Sequence, residues 1–277
     1  MYRGRLKVGG LFVVIHAFSP NDAPKGLPSW SLKSMQNQQD ADNNPRLVDG
    51  IYFALHQIGA CRAFSPNVVP ASAQIIDSTV LKPISLGNNF VLHRDKNIHA
   101  DGIFLKPGEA FVMSGAGCPI IIATGGDQMI VAHAGRDSLI DRGAVIGNPT
   151  RKHVSVVHSI IDAFKEKGIP VSEISMCLEF SIPADVFEHQ FDHPQHGEYN
   201  RALATFINKK WSGCTLGNGN SMFLDLESVF LKQTIEAGVQ RWTAEKSLSE
   251  YTEFCHTRDG KDPNRRNLIV VKRYFSH

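Results

Sequence analysis

The residues best equipped for chemistry lie in one stretch. It runs Ser114-Gly-Ala-Gly-Cys118-Pro, then an apolar segment, then Gly125-Gly126-Asp127, then Met129-Ile-Val-Ala-His133-Ala-Gly135. A thiol is nucleophilic as its thiolate, and a neighbouring imidazole stabilises that form. The pattern reads as a glycine-rich loop presenting Cys118 at the start of one strand, a tight turn, and His133 at the end of the next. Antiparallel strands joined by a short turn bring their free ends together, so Cys118 and His133 are expected to meet. Backbone amides of the loop around Ser114, Gly115 and Gly117 could face a developing oxyanion. The same pair could also ligate a metal. From spacing alone, a cysteine ahead of an apolar strand is more often a core residue.

The elements that must position these residues can be read from periodicity. Residues 8–18 read as a buried strand, and 19–45, rich in Pro, Asn, Gln and Asp, as a long surface loop. Residues 47–58 have helical apolar spacing and stop at Gly59. Short strands are expected at 73–81, 90–93 and 102–105, and core strands at 109–113, 119–124 and 128–132. Helices are expected at 153–167, 200–210 and 226–237, and strands at 174–178 and 267–274. Strands and helices mix without βαβ regularity. The expectation is therefore one α+β domain over 1–277, with mixed or antiparallel sheets layered as a sandwich and flanked by helices.

Composition narrows the function classes. The chain has 277 residues, 42% hydrophobic and 20% charged, with a net charge of +2. No basic stripe with interleaved aromatics argues for nucleic acid, and no apolar run is long enough to span a bilayer. The five cysteines are far apart and form no CxxC pair, so reduced thiols in the cytoplasm are expected. Export by a signal-independent route would leave the same sequence. One basic cluster, Arg258, Lys261, Arg265, Arg266, Lys272 and Arg273, reads as a solvated edge or as an anion subsite. His189, His193 and His196 would share a helical face, but Pro194 interrupts it and favours an exposed loop. Gly217-Asn-Gly219 reads as a turn.

Ala116-Gly-Cys118-Pro followed by His133-Ala-Gly-Arg-Asp-Ser138 resembles the A-D-C-x-P and H-A-G-W-R-G elements of the YfiH-type laccase-domain family. The likeness continues in Leu27-Pro-Ser-Trp-Ser-Leu32 with Asp42-Asn-Asn-Pro45, in Ala100-Asp101-Gly102, and in Val186-Phe-Glu188. It also covers Leu224-Asp-Leu226, Glu236-Ala-Gly-Val239, and Phe254-Cys-His-Thr-Arg258-Asp-Gly260. The resemblance implies that fold, a zinc-binding or catalytic site built from a His, the Cys and a second His, and action on purine nucleosides. The first His falls in a Q-V-H-G element, matched here by Gln74-Ile-Ile76-Asp77. Isoleucine cannot bind a metal, so Ile76 argues against a three-ligand zinc site unless His93 or His99 replaces it. No copper is expected, because the sequence holds no HxH pair. The fold of this family also resembles that of the cytotoxic necrotizing factor toxins, which deamidate protein glutamine with a Cys–His pair.

Three readings follow. The first is phosphorolysis of adenosine or inosine, with or without deamination; Cys118 and His133 act at the sugar or base, while Arg258, Arg266 and Asp101 contact substrate and phosphate. The second is a metal-free amidohydrolase or protein glutamine deamidase. In it Cys118 is the nucleophile, His133 the base, and the Ser114–Gly117 loop the oxyanion hole. The third is a binding protein on a degenerate enzyme scaffold, with Cys118 inert.

Overall fold

The structure is a computed structural model that describes residues 2–22, 30–68, 72–217, 219–244 and 266–274. Gly9 and Gly10, both at positive φ (54° and 97°), turn strand β1 (Tyr2–Val8) into β2 (Leu11–Phe18). Helix α1 (Gln38–Asp42) and α2 (Pro45–Ile58) follow; Gly59 ends α2 in the left-handed conformation. Then come β3 (Arg62–Phe64), β4 (Ile75–Asp77), β5 (Pro83–Gly87), β6 (Phe90–His93) and β7 (Gly102–Leu105). Next are β8 (Ala110–Gly115), β9 (Ile120–Gly125) and β10 (Gln128–His133). The chain continues through α3 (Arg136–Leu139), α4 (Arg142–Val145), α5 (Val156–Glu166), β11 (Ser175–Glu179) and β12 (Glu188–Gln190). It closes with α6 (Gly197–Lys210), β13 (Thr215–Gly217), β14 (Ser221–Leu224), α7 (Leu226–Glu236), β15 (Arg241–Ala244) and β16 (Asn267–Arg273).

Among the described residues these strands form a seven-stranded sheet (β1-β2-β16-β8-β3-β6-β5), a six-stranded sheet (β15-β11-β9-β10-β7-β4) and a small sheet (β12-β14-β13). Alternation along each strand fills three apolar layers. Ile120 and Ile122 of β9 pack with Phe111, Met113, Ile269 and Val271 between the two large sheets. Ile121 and Ala123 join Val157, Ile160 and Phe230 of α5 and α7 on the opposite side. Beyond the seven-stranded sheet, Val112 and Val270 pack with Ile51, Ala54 and Leu55 of α2. The result is a single α+β domain in four layers, helix on sheet on sheet on helix, as the sequence led us to expect.

Two expectations need correction. The described part of 19–45 is not a surface loop. Trp30, Leu32 and Met35 are fully buried in the layer beneath α2, and the Trp30 indole N–H donates to the Ser19 carbonyl at 2.9 Å. The Pro, Asn, Gln and Asp residues that suggested a loop flank these anchors on both sides. The basic cluster is divided too. Lys272 donates to the Gly59 carbonyl at 2.6 Å, while Arg273 is buried and donates to the carbonyls of Leu105 and Asp127. Both are clamps between elements rather than a solvated edge or an anion subsite. Arg258, Lys261 and Arg265 lie outside the described residues.

Candidate active site

Strands β9 and β10 pair antiparallel from Gly125↔Gln128 at the turn to Ile120↔His133 at the open end. One further hydrogen bond, from the Ala134 N–H to the Pro119 carbonyl at 2.8 Å, extends the ladder to the residue after Cys118. Cys118 therefore sits on the crossover that leaves β8 in one sheet and enters β9 in the other. Its thiol lies beside the His133 imidazole, which acts on it electrostatically: a Cβ built on Gly135 would touch both groups. On the other side of β10, Ala132 pairs with Gly102 of β7, and the His133 N–H donates to the Asp101 carbonyl at 2.8 Å. This register sets Asp101 beside His133 although 32 residues separate them.

The side chains extend that arrangement. His133 Nδ1 lies 3.1 Å from Asp101 Oδ1 and 2.7 Å from Ser138 Oγ, and Ser138 Oγ donates to Asp101 Oδ1 at 2.7 Å. The carboxylate can only accept, and the hydroxyl has given its proton to it. Nδ1 must then carry the hydrogen, which leaves Nε2 for the thiol. Asp101 is completely buried, and its second oxygen accepts the Ala73 backbone N–H. The sequence offered Asp101 as a substrate contact; the structure sets it behind His133, with its side chain fully buried. Ser138 comes from α3, which begins three residues after His133. That turn requires Gly135: a Cβ there would lie 2.7 Å from His133 Nε2 and 3.2 Å from Cys118 Sγ.

Ser114, Gly115 and Gly117 lie on the approach to Cys118, with divided roles. Ser114 Oγ accepts the Leu32 N–H at 3.1 Å, tying the loop to the Trp30 segment. Gly115 pairs with Asn267 of β16. Gly117 has φ 110°, a conformation that favours glycine. Among the described residues, no hydrogen bond engages the backbone N–H of Ala116, Gly117 or Cys118.

Burial alone would keep both members of the pair neutral. For Cys118 it raises the thiol pKa, but the His133 hydrogen bond and charge outweigh it and the net shift is downward. For His133 burial lowers the pKa, and hydrogen bonds to Asp101 and Cys118 overcome it, pushing the imidazole up to about 10. The arrangement favours thiolate and imidazolium. The ion pair exists between the lowered thiol pKa and the raised imidazole pKa and is lost on either side. Cys118 as a residue is half-buried.

The remaining expected residues are distributed as follows. Arg266 immediately precedes Asn267 of β16, which pairs with Gly115, and its charge lowers the Cys118 pKa. Arg258 lies outside the described residues. His93 belongs to the seven-stranded sheet, where its ring stacks on Phe64 at 4.5 Å. His99 is exposed beside Asn67. Ile76 lies on β4 opposite Ile103 and packs against the core between the large sheets. The Cys118–His133 pair thus gains neither His93 nor His99 as a third ligand, and Ile76 has no donor atom. Among the described residues no group of three His, Cys, Asp or Glu side chains is arranged to hold a metal ion. The donor set does not fit a three-ligand zinc site. His189 is buried on β12 rather than in a loop, whereas His193 and His196 stack on each other before α6.

Sequence reasoning missed Ser138 as a partner of His133. Ser138 stood inside the His-Ala-Gly-Arg-Asp-Ser motif. A helical turn restarting after Gly135 would have returned residue 138 toward His133.

The fold and site define a class: an α+β sandwich with a cysteine–histidine–aspartate chain at the open end of one sheet. No family model matches the sequence, and no curated protein does. Solved structures do match. A Neisseria meningitidis protein of family DUF152 is similar at TM-score 0.64 and 16% identity, over 99% of this chain and 100% of that one. YlmD from Geobacillus stearothermophilus is similar at TM-score 0.65 and 15% identity, over 96% and 93%. The Bacillus licheniformis protein YfiH is similar at TM-score 0.61 and 14% identity, over 94% and 92%. The chain has the fold of these proteins, in agreement with the resemblance read from its motifs. Among the described residues no helix is long and apolar enough to cross a membrane.

Proposed function

We propose that the protein is a metal-independent thiol hydrolase of amides or activated esters. Cys118 is the nucleophile, His133 the acid and base, and Asp101 the group that orients His133. The observation that carries this reading is the placement of Cys118 beside His133, whose Nδ1 is held by Asp101 and Ser138. Cys118 Sγ attacks the carbonyl carbon and forms a C–S bond, and the oxyanion meets the unengaged amides of the 116–118 loop. The C–N bond breaks as His133 gives its proton to the departing nitrogen. Water, deprotonated by the now neutral His133, attacks the thioester. The C–S bond breaks, the acid leaves, and the thiolate–imidazolium pair is restored.

The nucleoside reading takes second place. Arg266 beside the loop would suit phosphate, but Ile76 leaves the metal set incomplete. A chromogenic aryl ester separates the two. A burst of product with one acyl group on Cys118, lost in Cys118→Ser and unchanged by a chelator, is expected. Acylation only after unfolding, or phosphate-dependent release of purine base that follows zinc content, would overturn the hydrolase reading.

A further inference from the structure

Beside the thiol stands a group of charges that the hydrolytic scheme does not use. Gly135 is packed against Cys118 and His133, and the next residue, Arg136, leads away from them into α3. Its guanidinium is held on three sides. Nε donates to Asp137 Oδ1 at 2.8 Å, Nη1 lies 3.4 Å from His189 Nε2, and the group sits 5.5 Å over the Tyr199 ring. His189 Nδ1 lies 3.1 Å from the Phe187 carbonyl and must donate to it, so Nε2 is the acceptor facing Arg136. Among the described residues no hydrogen bond uses Arg136 Nη2, and the side chain keeps 17% of its exposure.

Arg142 covers the same Tyr199 ring at 4.8 Å and shares Asp137 at 3.7 Å. Two guanidiniums thus face one carboxylate, and a single positive charge is left over. The Tyr199 hydroxyl is buried and, among the described residues, lacks a hydrogen-bond partner. A fixed, stacked guanidinium with an open edge is the geometry that receives a planar anion. One surplus charge matches a carboxylate rather than a phosphate dianion.

We propose that Arg136, with Arg142 and Tyr199, forms a carboxylate subsite beside Cys118. The substrate is then a small amide or ester carrying a free carboxylate close to its scissile carbonyl, and not a glutamine side chain within a protein. The inference rests on the thiol-hydrolase reading for Cys118.

Iodoacetate and iodoacetamide form a matched pair of probes, differing in the carboxylate next to the reacting carbon. The ratio of their alkylation rates at Cys118, read by peptide mass spectrometry and normalised to a small free thiol, reports the subsite. In the intact protein the normalised ratio should favour iodoacetate by roughly tenfold, the size of one charge-assisted hydrogen bond. In Arg136→Gln it should return to the free-thiol value. Arg142→Gln leaves Arg136 in place and removes the surplus charge, so it should lower the ratio even if Arg136→Gln does not fold. Succinate should protect Cys118 from iodoacetamide better than inorganic phosphate does. A wild-type ratio equal to that of the free thiol, or protection by phosphate alone, overturns the subsite and leaves the hydrolase reading intact. Failure of both probes to label the native thiol overturns both.

Discussion

Asp101→Asn isolates the charge behind His133 while nearly preserving shape. In the native site two carboxylate oxygens accept from three donors: His133 Nδ1, Ser138 Oγ and the Ala73 N–H. An asparagine offers one carbonyl oxygen, and its NH2 must face at least one of those donors. A hydrogen bond to a charged group is worth ~1.5–3 kcal/mol, which is about one to two pKa units. Nδ1 is nearer Ser138 Oγ (2.7 Å) than Asp101 (3.1 Å), so part of the bonding survives and the lower figure applies. The His133 pKa should fall by about one unit and the Cys118 pKa should rise correspondingly. Cys118 feels Asp137 and Arg266 as well, and those charges are unchanged. The assay is the rate of iodoacetamide alkylation against pH, read by intact mass. The acid limb should move to higher pH by about one unit, with roughly tenfold slower labelling on its slope. The buried donor left unpaired should also cost ~1–3 kcal/mol of stability. An alkylation profile superimposed on that of the wild type would refute the role given to Asp101.

Other consequences follow from the same geometry. Gly135→Ala inserts a Cβ 2.7 Å from an imidazole that Asp101 and Ser138 hold in place. Overpacking of ~1–3 kcal/mol is expected in urea unfolding, and neutral-pH alkylation should slow by at least about tenfold as the dyad separates; native kinetics in this variant would contradict the packing. Ser138→Ala removes one acceptor of the Nδ1 hydrogen and one donor to Asp101, and should move the alkylation limb in the same direction as Asp101→Asn by less than about one unit. Trp30→Ala should cost ~3–5 kcal/mol in thermal or urea unfolding. A loss below ~1 kcal/mol would mean that the segment does not belong to the core.

The Cys118–His133 half of the candidate site was legible because β9 and β10 are neighbours joined by a tight turn. Local glycines and an apolar period suffice to bring Cys118 and His133 to the same open end of the β9–β10 pair. Asp101 was legible as a residue but not in its role, because its position depends on the β7–β10 register, a pairing between segments far apart in the chain. The 19–45 segment was misread because three buried anchors, Trp30, Leu32 and Met35, are spaced irregularly among polar residues and follow neither the helical nor the strand period. The β1–β2 hairpin was legible and went unread: Gly9-Gly10 marks the turn, and before it Arg3, Arg5 and Lys7 alternate with Tyr2, Leu6 and Val8. Arg136 and Arg142 mattered only once Tyr199 arrived from α6.

The account turns on Cys118 being a thiolate near neutral pH because His133 and not a metal stabilises it. The ultraviolet absorbance of the thiolate, taken as the difference between the native protein and Cys118→Ser across pH, measures this without a substrate. A thiolate signal present at neutral pH, lost only on acidification, unchanged by a chelator and absent in His133→Ala is the predicted result. A signal that grows in only at the alkaline pH of an ordinary thiol, or one that disappears when metal is removed, would contradict it.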